Sequence, residues 1–211
     1  MSPYPQVGVA KLAAHFKNAE FGRPARPEVL AELRSLVPQL PADLEEFWTV
    51  CDGIDLKLDF GDRDGRICSS GDCLARMKIA SWLSSGPSSI HHLLPVRDDG
   101  CGDYDCVVGA DDALAGSVVF LDQYSVISYL PAGSFRSFFE FWVDQIIFGY
   151  LPNGDLKLEH DEESDDFKVY LGDAHPWPFD TQWVRRHDPR LDELLRNPDV
   201  TRVVDDLGAE N

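Results

Sequence analysis

Apolar positions follow two rhythms along the chain, and the switch between them is sharpest at residues 40–60. Leu44, Phe47, Trp48 and Cys51 recur at i, i+3, i+4 and i+7, the spacing of one helical stripe. Pro41 suits the first helical position, where a missing N–H leaves no partner unpaired. Asp43, Glu45 and Glu46 put negative charge near the positive end of the helix dipole. Gly53 supplies a left-handed stop, and Ile54-Asp55-Leu56-Lys57-Leu58-Asp59-Phe60 then alternates with period two. A helix that buries Phe47 and Trp48 therefore passes the chain through one glycine to the first strand of a sheet.

The same rhythms predict the other elements. Val9 to Phe16 suits a helix, Phe21 to Pro27 a proline-punctuated loop, and Pro27 to Val37 a second amphipathic helix stopped by Pro38. Arg66-Ile67-Cys68 begins a strand, and Leu74 to Leu83 suits a helix lying over the sheet. Ile90 to Val96, Val107-Val108, Ser117 to Leu121 and Ser125 to Leu130 are short strands joined by tight turns, the pattern of an antiparallel meander. Ser134 caps a helix over Phe135 to Phe148 that is apolar nearly all round, so a second layer must cover its far face. The pattern predicts an α+β fold: N-terminal helices, a twisted antiparallel sheet of five to six strands and a long aromatic helix over residues 1–151. Residues 152–211 form a C-terminal extension packed on that domain. It contains an acidic run at Asp155–Asp166, the rigid aromatic segment His175–Asp180, and short helices at Asp188–Leu195 and Asp199–Leu207.

Composition narrows the functions open to such a fold. With 211 residues and 44% apolar content the chain can bury a sizeable core. No apolar run reaches membrane-spanning length, and Met1 to Ala14 lacks a signal-peptide layout, so a cytoplasmic protein without membrane contact is expected. Acidic residues number 37 against 19 basic ones, a formal charge of −18. Direct nucleic-acid binding needs the opposite excess, whereas basic proteins are drawn to such a surface. Cys68 and Cys73 share a spacing with Cys101 and Cys106, which invites a four-thiolate zinc site. That gap is wider than zinc motifs use, and buried free thiols are expected instead, with no metal or cofactor.

One polar constellation stands out: Asp98, Asp99, Asp103 and Asp105, with His91 and His92 nearby. A metal-dependent hydrolase would use such carboxylates as ligands and a histidine as base. Against that, aspartates beside Gly100 and Gly102 are ordinary turn chemistry, and no phosphate-cradling loop, nucleophile elbow or zinc-protease helix accompanies them. No catalytic residue is expected. Carboxylates also cluster at Asp62 and Asp64 and at Asp111 and Asp112. With Tyr104 as an aromatic anchor, the three groups are read as one acidic patch that meets a basic partner at one end or face of the sheet.

Three stretches together resemble one family. Leu40-Pro41-x-x-Leu44-x-x-Phe47-Trp48-x-x-Cys51-Asp52-Gly53 is similar to the leucine-proline, helix, asparagine/aspartate-glycine motif of the SMI1/KNR4 (SUKH) superfamily. Pro95 followed by Asp99-Gly100-x-Gly102-Asp103-Tyr104 resembles its acidic glycine turn. Val118-Val119-Phe120 and then Ser134-Phe135-x-x-Phe138-Phe139 resembles its strand pair and serine-phenylalanine helix. The likeness spans Pro27 to Gly149, with Cys51-Asp52 where asparagine is commoner and the segment after Leu151 outside the shared core. It implies an α+β fold and, for bacterial members, an immunity protein that neutralises a cognate toxin, often a nuclease or deaminase. Fungal members are regulatory scaffolds, so a non-catalytic regulatory role is the alternative. The oligomeric state is left open.

Overall fold

The structure is a computed structural model that describes residues 4–58, 65–79, 92–98, 102–111, 113–121, 127–161, 166–169, 186–198 and 200. Its helices are α1 Gln6–His15, α2 Pro27–Leu36, α3 Ala42–Val50, α4 Ser70–Ile79, α5 Phe135–Gly149 and α6 Pro189–Leu195. Its strands are β1 Glu20–Phe21, β2 Ile54–Asp55, β3 Arg66–Ile67, β4 Leu93–Asp98, β5 Tyr104–Val108, β6 Val118–Leu121, β7 Ile127–Ala132, β8 Leu158–Asp161 and β9 Asp166–Val169. The fold is α+β, and its strands pair antiparallel throughout.

The strands do not form the single five- to six-stranded sheet that the pattern predicts. They form a three-stranded sheet in the order β1-β2-β3, a four-stranded meander β4-β5-β6-β7 and a hairpin β8-β9. The predicted strand Ile54–Phe60 pairs only over Ile54–Asp55. Asp55 Oδ1 accepts a hydrogen bond from the Lys57 N–H at 3.0 Å, a local turn that competes with a ladder, and Lys57 takes a φ of 53°. Period-two alternation still sets which side chains go inside: Ile54, Leu56 and Leu58 are buried while Lys57 is exposed. The two larger sheets meet where the Cys68 N–H donates to the Val96 carbonyl at 2.8 Å. Beside that contact Pro95 has no N–H to offer, and the β4–β5 register shifts between Pro95 and Arg97.

α3 sits at the centre. Leu44, Phe47 and Trp48 are fully buried, and the Phe47 ring lies 5.3 Å from Phe135 and 5.0 Å from Phe139 of α5. Pro41 is the residue that caps α3 in extended geometry, one place before the predicted first turn. The Asp43 carboxylate reaches across to accept from the Arg136 N–H at 2.8 Å, so it serves the N-terminus of α5. Gly53, at a φ of 97°, ends the motif with a backbone that side-chain-bearing residues rarely adopt. Its neighbour Asp52 accepts from the Ser70 N–H and hydroxyl at the start of α4. α4 begins at Ser70, ahead of the predicted Leu74, because Ser69 and Asp72 bond reciprocally as a capping box.

α5 keeps its predicted span, and the Ser134 hydroxyl accepts from the Ser137 N–H at 3.1 Å. α1 and Tyr4 pack on it at Phe139, which the Tyr4 ring meets edge-on at 6.0 Å, while Phe141, Ile147 and Phe148 stay partly exposed. The aromatic segment His175–Asp180 of the C-terminal extension lies outside the described residues. At the other end Lys157 donates to the Ile147 and Phe148 carbonyls at 3.0 and 2.6 Å, which satisfies the last turn of the helix.

The meander is covered on both faces. Leu94, Val96, Val107, Val118 and Ala132 join the main core under the helices. Leu93, Cys106, Val108, Val119, Leu121 and Leu130 form a second core with Leu191 and Leu194 of α6 and with Val200. One buried carboxylate fixes this layer. Asp188 accepts from the Leu191 N–H at 3.0 Å as the cap of α6 and from the Gly133 N–H at 2.8 Å. A Cβ on Gly133 would come within 2.5 Å of the Leu191 nitrogen, so α6 requires glycine there. Asp188→Ala leaves the buried Gly133 and Leu191 N–H groups without this acceptor, and a loss of about 1–3 kcal/mol for each is expected from chemical denaturation. An unchanged midpoint would show that the clamp does not hold the layer.

Candidate functional site

In an up-and-down meander, successive turns lie at opposite ends of the sheet. The last pair of β4 and β5 is Asp98 with Tyr104, and Tyr104 pairs with Leu121 of β6 at the same end. The β5–β6 turn that carries Asp111 leaves from the Val107–Val118 end. Five residues of strand separate the two, about 15 Å. The expected convergence of the acidic turns at one end therefore does not hold for Asp111, which is exposed at the opposite end. Asp62, Asp64, Asp99, Gly100, Cys101 and Asp112 lie outside the described residues, as does His91.

At the Asp98 end each described carboxylate has its own setting. Asp105 is 2% exposed and forms an ion pair with Arg97, Nε to Oδ2 2.5 Å, so it belongs to the interior of the sheet rather than to an open patch. Asp98 binds Arg76 of α4 at 2.6 Å, and the same guanidinium lies 5.4 Å from the centre of the Tyr104 ring. Burial, then the Asp98 charge, raises the Tyr104 hydroxyl above its usual pKa. Asp103 is partly exposed beside Tyr104. Beneath them Arg66, Cys68, Asp72, Arg76 and Asp98 line a polar cleft of about 280 Å³.

The cysteines nearby are not activated. Burial pushes the Cys68 thiol up to about 11, and pushes Cys73 and Cys106 well above the ordinary value. Metal binding and nucleophilic attack both need the thiolate, which these settings disfavour. Cys51, Cys68, Cys73 and Cys106 are free, and no cluster of three or more metal-binding side chains occurs among the described residues. Asp98 and Asp105 each face an arginine rather than a shared centre, which is a poor ligand set for a hydrolytic metal.

The pairing register brings together a row that the sequence did not announce. Arg97 on β4 faces Asp105 on β5, Asp105 faces Phe120 on β6, and Phe120 faces Tyr129 on β7. All four project from the face that the helices cover farther along the strands, at Val107 and Val118. Phe120 and Tyr129 stack with ring centres 4.9 Å apart and planes inclined by 16°. Tyr129 is 38% exposed. Alternation predicts that Phe120 shares a face with Val118, but only the register shows that it sits beside Tyr129.

The motif residues behave differently from this surface. Leu44, Phe47, Trp48, Phe135 and Phe138 are all core, and Gly53 and Gly102 both have positive φ. They build the fold, and the surface is laid over them. Among the described residues no helix is long and apolar enough to cross a membrane. No protein-family model matches the chain, and no curated protein matches it, so the SUKH likeness rests on the motifs quoted above.

Proposed function

We propose that this is a binding protein of the immunity type, which neutralises a basic toxin of nuclease or deaminase class by direct contact. The observation that carries the reading is the partly exposed Asp103 beside Tyr104 at the end of the meander where arginines pair with Asp98 and Asp105, on a chain of formal charge −18. Toxins of that class are basic where they meet nucleic acid, and an acidic inhibitor is both steered to that surface and able to cover it. The SUKH motifs support the same reading. The test is coexpression with candidate basic toxins, sought first among the products of neighbouring genes: the chain restores growth and copurifies with one of them as a stable complex. Several weak partners with no protection would favour the regulatory scaffold instead.

The mechanism makes a kinetic prediction. Raising salt from about 50 to about 500 mM slows association with the toxin far more than it speeds dissociation. Asp103→Asn lowers the on-rate and leaves the melting temperature nearly unchanged. Association measured by stopped flow that ignores both changes would place the contact elsewhere.

A further inference from the structure

We infer that the stacked pair Phe120–Tyr129 is a platform for an arginine side chain of a basic protein partner. The inference rests on the binding role proposed above and names the residue chemistry that the surface takes. Two parallel rings on neighbouring strands form a rigid aromatic plate whose outer member, Tyr129, is 38% exposed. Tyr129 is the one aromatic among the large apolar side chains that are exposed in the described residues, the others being Leu36, Leu151 and Leu195. A guanidinium stacks on such a plate through its flat face while its edge N–H groups remain able to reach a carboxylate.

The charge around the plate favours that occupant. Burial is the first cause that raises the Tyr129 hydroxyl, followed by the Asp105 charge, with Arg97 opposing and Asp103 adding least. Arg97 itself is paired with Asp105 inside the row, and the partly exposed Asp103, two places before Asp105 and so toward the same face, adds negative charge on a chain with a large negative excess. A nucleobase would also stack on two rings, but its phosphates meet that excess, and charge selects the arginine.

The test uses the full chain and three probes: an arginine-glycine repeat peptide, its lysine counterpart and oligothymidine. The expected result is that the arginine peptide binds more tightly than the lysine peptide and shifts the ring resonances of Phe120 and Tyr129. Tyr129→Ala is expected to weaken arginine-peptide binding about tenfold, and Tyr129→Phe to leave it nearly intact. Asp103→Asn, which leaves the plate whole, is expected to weaken it about threefold and flatten its salt dependence. Equal affinity for the two peptides, tighter binding of oligothymidine, or binding indifferent to both Tyr129→Ala and Asp103→Asn would overturn the inference. Toxin protection that persists in Tyr129→Ala with unchanged affinity would refute the platform and leave the immunity role standing. Arginine-selective binding at Tyr129 without any protection would do the reverse.

Discussion

Trp48→Ala is expected to destabilise the protein by about 3–5 kcal/mol, the cost of emptying a fully buried indole site. Trp48 has no exposed surface, and it lies on the helix that packs against α5. Its Nε1–H donates at 3.2 Å to the carbonyl of Cys68, the residue whose N–H joins the two sheets. The substitution thus removes packing and strips an acceptor at the junction. For a chain of this size the loss corresponds to a drop of roughly 6–20 °C in melting temperature. Trp48→Phe keeps most of the volume and should recover part of it. A calorimetric midpoint for Trp48→Ala within a degree or so of the parent would refute the central role assigned to α3.

The second large effect is alkaline. Cys73 and Cys106 are held neutral by burial with pKa values well above 9.0, and Cys51 and Cys68 are pushed up to about 11. Tyr4 is raised too, again first by burial. In the unfolded chain these thiols ionise near their ordinary value, so the unfolded state releases protons that the folded state keeps. Stability from this source is complete below about pH 9 and falls as pH rises toward the folded values. For Cys73 and Cys106 alone the slope approaches about 2–3 kcal/mol per pH unit once the pH passes the ordinary thiol value while both stay protonated in the fold. Urea midpoints measured above that value should fall steeply, and the share of thiolate absorbance that belongs to Cys73 and Cys106 should appear only with unfolding. A double Cys73→Ala and Cys106→Ala variant should show a shallower slope. A midpoint that holds flat to pH 11 would mean that these thiols ionise in place.

Much of the fold was legible because its determinants are local. The spacing of Leu44, Phe47, Trp48 and Cys51 defined α3, Ser134 and the following aromatics defined α5, and short alternating runs gave the order of the meander. Element ends were less legible where a side chain intervened. Asp55 turned the predicted strand at Lys57, and the Ser69–Asp72 box started α4 a turn early. Both signals were in the sequence, but each competes with a stronger hydrophobic pattern. Apolar runs such as Leu93-Leu94 and Cys106-Val107-Val108 also carried the message that the sheet is covered on two faces, since neighbours on one strand point opposite ways.

The candidate site was legible only in part, for a different reason. The sequence marked aspartates in turns, but whether a carboxylate meets solvent or an arginine depends on the partner strand. Asp105 faces Arg97 through the β4–β5 register, and Asp98 meets Arg76 through the packing of α4. Phe120 and Tyr129 come from two separate strands and become one surface only when β6 and β7 pair with a shifted register. No period within either strand carries that information.

The two-faced meander has a consequence for how the protein is made. The face bearing Leu93, Cys106, Val108 and Val119 is closed by Leu191, Leu194 and Val200, and the Asp188 carboxylate that fastens them binds back to Gly133. During synthesis β4 to β7 leave the ribosome well before that lid does. For the time needed to add more than fifty residues, at roughly 5–20 residues per second, the emerging chain presents an apolar sheet face to the cell. Closure of that face once residues 188–200 have emerged, rather than the lifetime of the finished protein, is then the step at which weakening the Asp188 clamp would first be felt.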